Sequence, residues 1–208
     1  MIFSQEMIDT LREQVRNSMS ERRFVHTAEV EKMAVRLGEL YAPDKLDVLA
    51  VAALLHDITK EKSTEEQLSL LSSHNIELKA EDRLSPKTLH ARTAVIFVKE
   101  RFPFFATEEV INAIRRHTTG SADMTLCDMI IYLADYIDMS RTFDDCVFLR
   151  EYFWGKDPRD MEYGERYRHL LQTLAISFDM TIKALIEEKS VISVETVEAR
   201  NALICNLQ

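Results

Sequence analysis

The sequence predicts an all-α protein, a single helical bundle whose core holds a group of polar side chains. Three observations lead there. Glycine and proline number only 4 each in 208 residues, where average usage of about 7% and 5% would give roughly 25 together, and a sandwich or barrel needs many such turns. No stretch alternates apolar and polar residues as a half-buried strand does. Apolar residues recur instead at steps of three and four, the spacing of one helical face. A composition of 46% hydrophobic and 29% charged residues is that of an ordinary globular domain. A chain of this length buries roughly two-thirds of its unfolded surface as one domain and needs no staples.

The elements follow in order. Met1 to Val15 carries Glu6, Asp9, Arg12 and Glu13 among its apolar residues, so it reads as a peripheral N-terminal helix, ending by Ser20, and not as the apolar core of a signal peptide. A helix is predicted over Glu21–Tyr41, because His26, Val30, Met33, Leu37 and Leu40 share one stripe. Pro43 closes it. A second helix starts near Asp44 and runs through the apolar stretch Leu49–Leu55 into His56 and Asp57. Being apolar on every side, it belongs in the middle of the core, and it is far too short to span a membrane. Ser63 with Glu66 three residues on forms a capping box. Ser85-Pro86 opens a helix carrying His90, Ala94, Phe97 and Val98. Thr107 opens another with Val110, Ile114 and His117 on one stripe, ended by Gly120. Thr125–Asp138 is apolar from Met129 to Ala134 and then presents Asp135. Helical stretches near Tyr167–Glu188 and Val194–Leu207 complete the chain. Phe143–Gly164, with Phe148, Tyr152, Phe153 and Trp154, is aromatic, and no period assigns it to an element.

Charge and cysteine narrow the classes of partner. A net charge of −9 disfavours nucleic acid and anionic membrane, which need basic counter-charge. The three cysteines, Cys127, Cys146 and Cys205, are odd in number and lack a CxxC pair, as expected of a cytoplasmic protein in a reducing compartment. Phe102–Phe105 and Phe143–Trp154 offer apolar surface for a homodimer contact or, equally, for the core.

The informative residues are polar ones in apolar company. His26 lies on a core stripe, His56 and Asp57 end the most apolar helix, His117 continues the Val110/Ile114 stripe, and Asp135 follows six apolar residues. One such histidine is usually a hydrogen-bonded core residue, and one aspartate late in a helix is usually solvated. Four histidines (His26, His56, His90, His117) and two aspartates at inward positions on five helices are hard to explain that way. Carboxylates buried alone cost several kcal/mol or protonate. A cation among them removes that cost. Imidazole with carboxylate suits iron, manganese or zinc, and the lack of nearby cysteine disfavours a structural zinc site. His74 and His169, among Ser/Asn and Arg/Tyr, read as surface residues, and the charged stretches Glu61–Glu66 and Glu187–Lys189 as solvated faces.

The ordered set His26, His56-Asp57, Asp135 resembles the HD-domain superfamily of metal-dependent phosphohydrolases. Finer stretches resemble its YqeK branch, bacterial symmetrical bis(5′-nucleosyl)-tetraphosphatases: Arg23–Thr27, Ala52–Lys60, Leu89-His90, Ala113–Gly120 with its HisThrThrGly, Tyr132–Asp138 with Arg141, and Thr196–Asn201. The similarity spans about Glu21 to Leu203; Phe143–Gly164 departs from it by its length and aromatic content. The resemblance implies hydrolysis of diadenosine tetraphosphate to two ADP, with iron as the metal, one or two ions, and manganese or another divalent ion as alternatives. It implies His26, His56, Asp57 and Asp135 as core ligands. His90 and His117 would line the open side, on a second ion or on the phosphate chain. Asp57 and Lys60 become the catalytic pair. Arg23, Lys60, His90, His117, Thr118, Asp135 and Arg141 become the substrate-binding set. Lys60, three residues after Asp57, and Arg23, three before His26, lie within a helical turn of a ligand. Other substrates of the same chemistry are a dNTP, a cyclic nucleotide or an alarmone; a non-enzymatic helical regulator is the third alternative.

Overall fold

In a computed structural model describing residues 2–78 and 80–208, those residues form eleven α-helices and no strand. They are α1 (Gln5–Arg16), α2 (Glu21–Tyr41), α3 (Leu46–Leu55), α4 (Thr64–Ser73), α5 (Ala80–Leu84), α6 (Leu89–Arg101), α7 (Glu108–Arg116), α8 (Leu126–Ile137), α9 (Asp144–Gly155), α10 (Tyr163–Glu187) and α11 (Val194–Leu207). None of the described helices is long and apolar enough to cross a membrane.

The centre of the molecule is α3. Every residue from Asp47 to Leu55 is buried, because α1, α2, α7 and α8 all pack on this one short helix. At Gly38 of α2 the two helices approach closely: a Cβ there would come within 2.5 Å of Leu49 Cδ1 and 2.8 Å of Leu46 Cδ2, so any larger residue would push those leucines aside. Helix α1 adds Ile8, Leu11 and Val15 to the same core, with Phe3 before it. Phe3 meets Phe104 and Phe105 with ring centroids 5.9 and 5.3 Å apart. Phe105 and Phe102 thereby pack against the core while Phe104 stays exposed.

The helix starts are those the caps dictate. Ser20, Thr107 and Thr125 each accept a backbone N–H at the third position beyond, and Ser63 with Glu66 forms the capping box. Three boundaries differ from the sequence reading, one of them that of α6, which begins at Leu89 after a 3-10 turn at Pro86–Thr88 and not at Ser85-Pro86. Pro43 opens a short 3-10 turn, Pro43–Lys45, so α3 proper begins at Leu46 and ends at Leu55, leaving His56 and Asp57 just past its last turn. Helix α10 begins at Tyr163, four residues before Tyr167.

Two expectations are corrected. Phe143–Gly164 is not irregular: it contains α9, a 3-10 turn at Pro158–Asp160 and the first residues of α10. Its buried residues, Cys146, Leu149 and Phe153, do follow helical spacing. The exposed Phe148 and the half-buried Tyr152 and Trp154 mask that stripe by being hydrophobic on other faces. His169 is not a surface residue. It is 4% exposed, stacks on Phe153 at 5.3 Å, and its Nε2 lies 3.0 Å from the Phe153 carbonyl. Its polar sequence neighbours point elsewhere on the helix, while His169 shares the buried stripe of Thr173 and Ser177. His74 is exposed and pairs with Glu100 at 2.9 Å.

Gly120 fastens the C-terminal hairpin to the centre. It has φ 71°, a left-handed conformation, and its N–H donates to the Arg116 carbonyl at 2.9 Å. A Cβ there would come within 2.5 Å of Phe178 on α10 and 2.9 Å of Ala199 on α11. The turn after α7 is therefore pressed between those helices.

Candidate metal centre

The histidines are placed by helix ends. His56 and His117 are the C-cap residues of α3 and α7, where the last carbonyls lack intrahelical donors. Each ring satisfies one: His56 Nδ1–H donates to the Ala53 carbonyl and His117 Nδ1–H to the Ile114 carbonyl, both at 2.6 Å. That fixes the tautomer, so each Nε2 keeps its lone pair and faces inward. His26 stands in the second turn of α2, and His90 in the first turn of α6.

These rings converge on Asp57, which is 3% exposed. Its Oδ2 lies 3.7 Å from His26 Nε2 and 3.6 Å from His56 Nε2. Its Oδ1 lies 3.2 Å from His90 Nε2 and 3.7 Å from His117 Nε2. Asp135 Oδ1 closes the first side, 3.0 Å from His26 Nε2 and 3.8 Å from His56 Nε2. The set therefore has two lobes that share Asp57. One is His26, His56, Asp57 and Asp135; the other is Asp57, His90 and His117. Candidate ligand triplets in both lobes have donor atoms within 4.8 Å of one another.

The donor set fits a divalent ion. His26 Nε2, His56 Nε2 and Asp57 Oδ1 are buried with no hydrogen-bond partner. Desolvating a carboxylate oxygen and two imidazole nitrogens without partners is costly, and a cation between them offsets that cost. Nitrogen and oxygen donors without thiolate suit iron, manganese or zinc, and no cysteine joins any of these triplets. The charges are arranged to the same end. Burial pushes Asp57 up, but the surrounding histidines and Lys60 outweigh it and hold its carboxyl well below the usual range. Asp135 is likewise held low, chiefly by Arg141 and His26 against burial. Burial lowers His56 to about 4 and drives His90 well down, with help from His117 and Lys60. Both rings are thus neutral at pH 7, as ligands must be. His26 differs: burial lowers it, but Asp135 and Asp138 carry it up to about 9.

The cations assigned to substrate stand at the rim in contact with the acids. Arg23 Nη1 is 2.7 Å from Asp57 Oδ2, and Arg141 Nη2 is 2.5 Å from Asp135 Oδ1. Lys60 Nζ is 4.0 Å from Asp57 Oδ1 and 3.1 Å from His90 Nε2, and burial lowers its pKa. Thr118 Oγ1 lies 3.2 Å from His90 Nε2 and 3.1 Å from His117 Nε2. All the residues singled out from the sequence for this site are in one place.

Asp138 and Ser140 were not. Asp138, 0% exposed, caps the C-terminus of α8 and faces His26 Nδ1 at 3.4 Å, while Ser140 Oγ lies 3.2 Å from the same nitrogen. They hold the far side of the ring whose Nε2 faces the centre. The signal was present: Asp138 follows Asp135 by three residues, one turn along the same helical face.

The HD domain family model matches residues 23–140. The chain belongs to the HD-domain family. The matched span runs from Arg23 through Asp135 to Ser140, so it contains every residue of both lobes. Over 129 residues this HD domain is 32% identical to the symmetrical bis(5′-nucleosyl)-tetraphosphatase of Bacillus subtilis (strain 168), covering 62% of this chain and 68% of that one. Over 196 residues it is 26% identical to the Staphylococcus aureus (strain NCTC 8325 / PS 47) protein of the same name, covering 93% of each. Its fold is similar to the crystal structure of a predicted HD superfamily hydrolase involved in NAD metabolism from Clostridium acetobutylicum, with TM-score 0.80 and 32% identity over 95% of this chain and 97% of that one.

Proposed function

We propose that this HD domain is a metal-dependent hydrolase that cleaves diadenosine tetraphosphate symmetrically into two ADP. The observation that carries the reading is the orphaned polar set around Asp57, buried yet lined by cations on its open side. His26, His56, Asp57 and Asp135 would hold the first ion, which we assign as iron; His90 and His117 with Asp57 would hold a second ion or the phosphate chain. An ion there would supply Lewis-acid chemistry, neutralising phosphoryl charge and lowering the pKa of a water molecule toward about 7. The relatives from Bacillus subtilis and Staphylococcus aureus support this substrate class.

The protein's own residues then do the rest. Arg23, Lys60 and Arg141 give a net-acidic chain a local positive field, without which a tetraphosphate would be repelled. Arg23 and Arg141 stand on the side of Asp57 and Asp135, Lys60 on the side of His90, so the phosphate chain is gripped from both ends. The bond that breaks is the one between the β-phosphorus and the central bridging oxygen. Water supplies oxygen to that phosphorus, and the second ADP departs with the bridging oxygen. The Lys60 ammonium has three N–H donors and no acceptor, and it meets the charge developing on that oxygen.

Chromatography of the products together with metal analysis tests the reading. ADP as sole product, with a transition metal bound in stoichiometric amount, supports it; AMP plus ATP overturns it. The association of the Clostridium acetobutylicum neighbour with NAD metabolism favours a second reading, hydrolysis of another nucleotide, which a panel of dNTP, cyclic nucleotide and alarmone substrates separates from the first.

A further inference from the structure

We propose that Arg150, on α9, is a positioning residue that clamps the turn after α8 and through it sets both Arg141 and His26. This rests on the hydrolase reading above and ties the aromatic segment Phe143–Gly164 to its chemistry. Arg150 lies beyond the span matched by the HD domain model, which ends at residue 140. Its side chain is half-buried and turned onto backbone. Nη1 donates to the Asp138 carbonyl at 2.5 Å, to the Arg141 carbonyl at 3.2 Å and to the Ile137 carbonyl at 3.4 Å. Nη2 donates to the Arg141 carbonyl at 3.3 Å. Ile137 and Asp138 are the last residue and the C-cap of α8, where carbonyls lack intrahelical donors and a cation is favoured.

One planar group thus holds both ends of one turn. Within itself the turn is closed by the Arg141 N–H on the Asp138 carbonyl, at a long 3.3 Å. That turn carries three side chains to the centre. Asp138 Oδ2 and Ser140 Oγ face His26 Nδ1 at 3.4 and 3.2 Å. Arg141 folds back so that Nη2 lies 2.5 Å from Asp135 Oδ1. Among the described residues, the hydrogen bonds of Arg150 go to the three carbonyls alone. Its effect on the reaction therefore passes through the backbone from which Asp138, Ser140 and Arg141 project. A second tie between the same helices leaves the turn alone: Tyr136 Oη donates to Asp145 Oδ2 at 3.0 Å.

Arg150→Met tests the clamp in two readouts. Graded chelator challenge of the holoenzyme should show metal held about three- to tenfold more weakly, less than the usual ten- to hundredfold for a partner in direct contact with a ligand. At saturating metal, KM for diadenosine tetraphosphate should rise about tenfold and kcat stay within about threefold, because Arg141 grips the substrate in ground and transition states alike. In an Arg141→Met background the same substitution should add little to KM, since residues acting through one contact are not additive. Losses that add in full overturn the route through Arg141. Tyr136→Phe loosens α9 without touching the turn and should leave metal affinity and KM unchanged; losses equal to those of Arg150→Met would mean that Arg150 only docks α9, and overturn the proposal. Arg150→Lys keeps the charge without the planar fork and should keep most of the loss, which also reads the clamp if Arg150→Met does not fold. Full recovery in Arg150→Lys would mean that the charge acts through space, and overturns it too. A wild type that does not hydrolyse diadenosine tetraphosphate removes the hydrolase reading, while the chelator readout still tests Arg150. Unchanged metal affinity and KM in Arg150→Met, with an active wild type, remove the clamp alone.

Discussion

At the N-terminal end of α3 Asp47 is 6% exposed, and just past the C-terminal end Asp57 is 3% exposed. Two buried carboxylates thus stand at opposite ends of one ten-residue helix, and their surroundings differ in kind. Asp47 Oδ2 accepts the backbone N–H of Phe3 at 2.8 Å and also that of Ile2. It lies where the helix dipole favours negative charge. Asp57 lies at the negative end of the same dipole, with Oδ1 lacking any hydrogen-bond partner and four imidazoles within 3.7 Å of its oxygens. The first carboxylate is complete as it stands and ties the N-terminus to the core. In the second, Arg23 answers Oδ2 at 2.7 Å and leaves Oδ1 without a hydrogen-bond partner, open to an added cation. Burial alone therefore does not mark a functional acid; burial with an unanswered oxygen among converging imidazoles does. Histidine repeats the lesson, since His169 is as buried as the centre's rings but its Nε2 already meets the Phe153 carbonyl at 3.0 Å.

The largest effect should come from breaking the incomplete end. Asp57→Ala removes the one group shared by both lobes. Bound metal is expected to fall below stoichiometry, and hydrolysis by at least about a thousandfold, because the metal is worth several kcal/mol to the transition state and about 1.36 kcal/mol is a factor of ten. Elemental analysis and product chromatography on the same preparation check both. Full metal with full turnover would mean that Asp57 is no more than a second Asp47.

A smaller effect is expected at Asp138, an acid between the two cases. It holds His26 from behind, 3.4 Å from Nδ1. Asp138→Asn should weaken metal affinity by about ten- to a hundredfold, the usual cost of losing a partner behind a ligand. Titration of metal into the stripped protein reads this, and turnover at saturating metal should largely recover. Unchanged affinity would show that Ser140 alone orients the ring.

Most of the helices were legible because their caps and stripes are local: Ser20, Ser63, Thr107 and Thr125 each start a helix where the sequence says. The centre was legible because its polar residues interrupt apolar runs, as His56-Asp57 does after Leu55. What escaped was set by tertiary context. Helix α9 is hydrophobic on more than one face, since the exposed Phe148 adds to the buried Leu149 and Phe153, so its period was blurred. His169 was hidden by the polar residues beside it in sequence, though not on its helical face. Asp138 looked like an ordinary helix-end acid, and only the return of His26 against α8 makes it part of the site.

The smallest expected effect lies at the complete end of α3 and concerns stability alone. Burial pushes the Asp47 carboxyl up, but the Phe3 and Ile2 amides outweigh it and hold the pKa below its ordinary value. A carboxyl whose folded pKa is depressed binds its proton more readily in the unfolded chain. Its contribution is therefore full above the unfolded value, about 3.9, and is lost as pH falls through the folded one. Asp47→Asn keeps the shape and one acceptor but removes the charge, and hydrogen bonds to a charged group are worth about 1.5–3 kcal/mol. Denaturant unfolding at pH 7 and pH 5 should show the variant less stable by about 1–2 kcal/mol, with metal content and turnover untouched. Between pH 5 and pH 3 the gap should narrow, because the wild type then begins to lose what the variant never had. A gap that does not narrow would mean that packing and not charge holds the N-terminus on α3. Loss of metal in this variant would mean that the two ends of α3 are coupled and do not act independently.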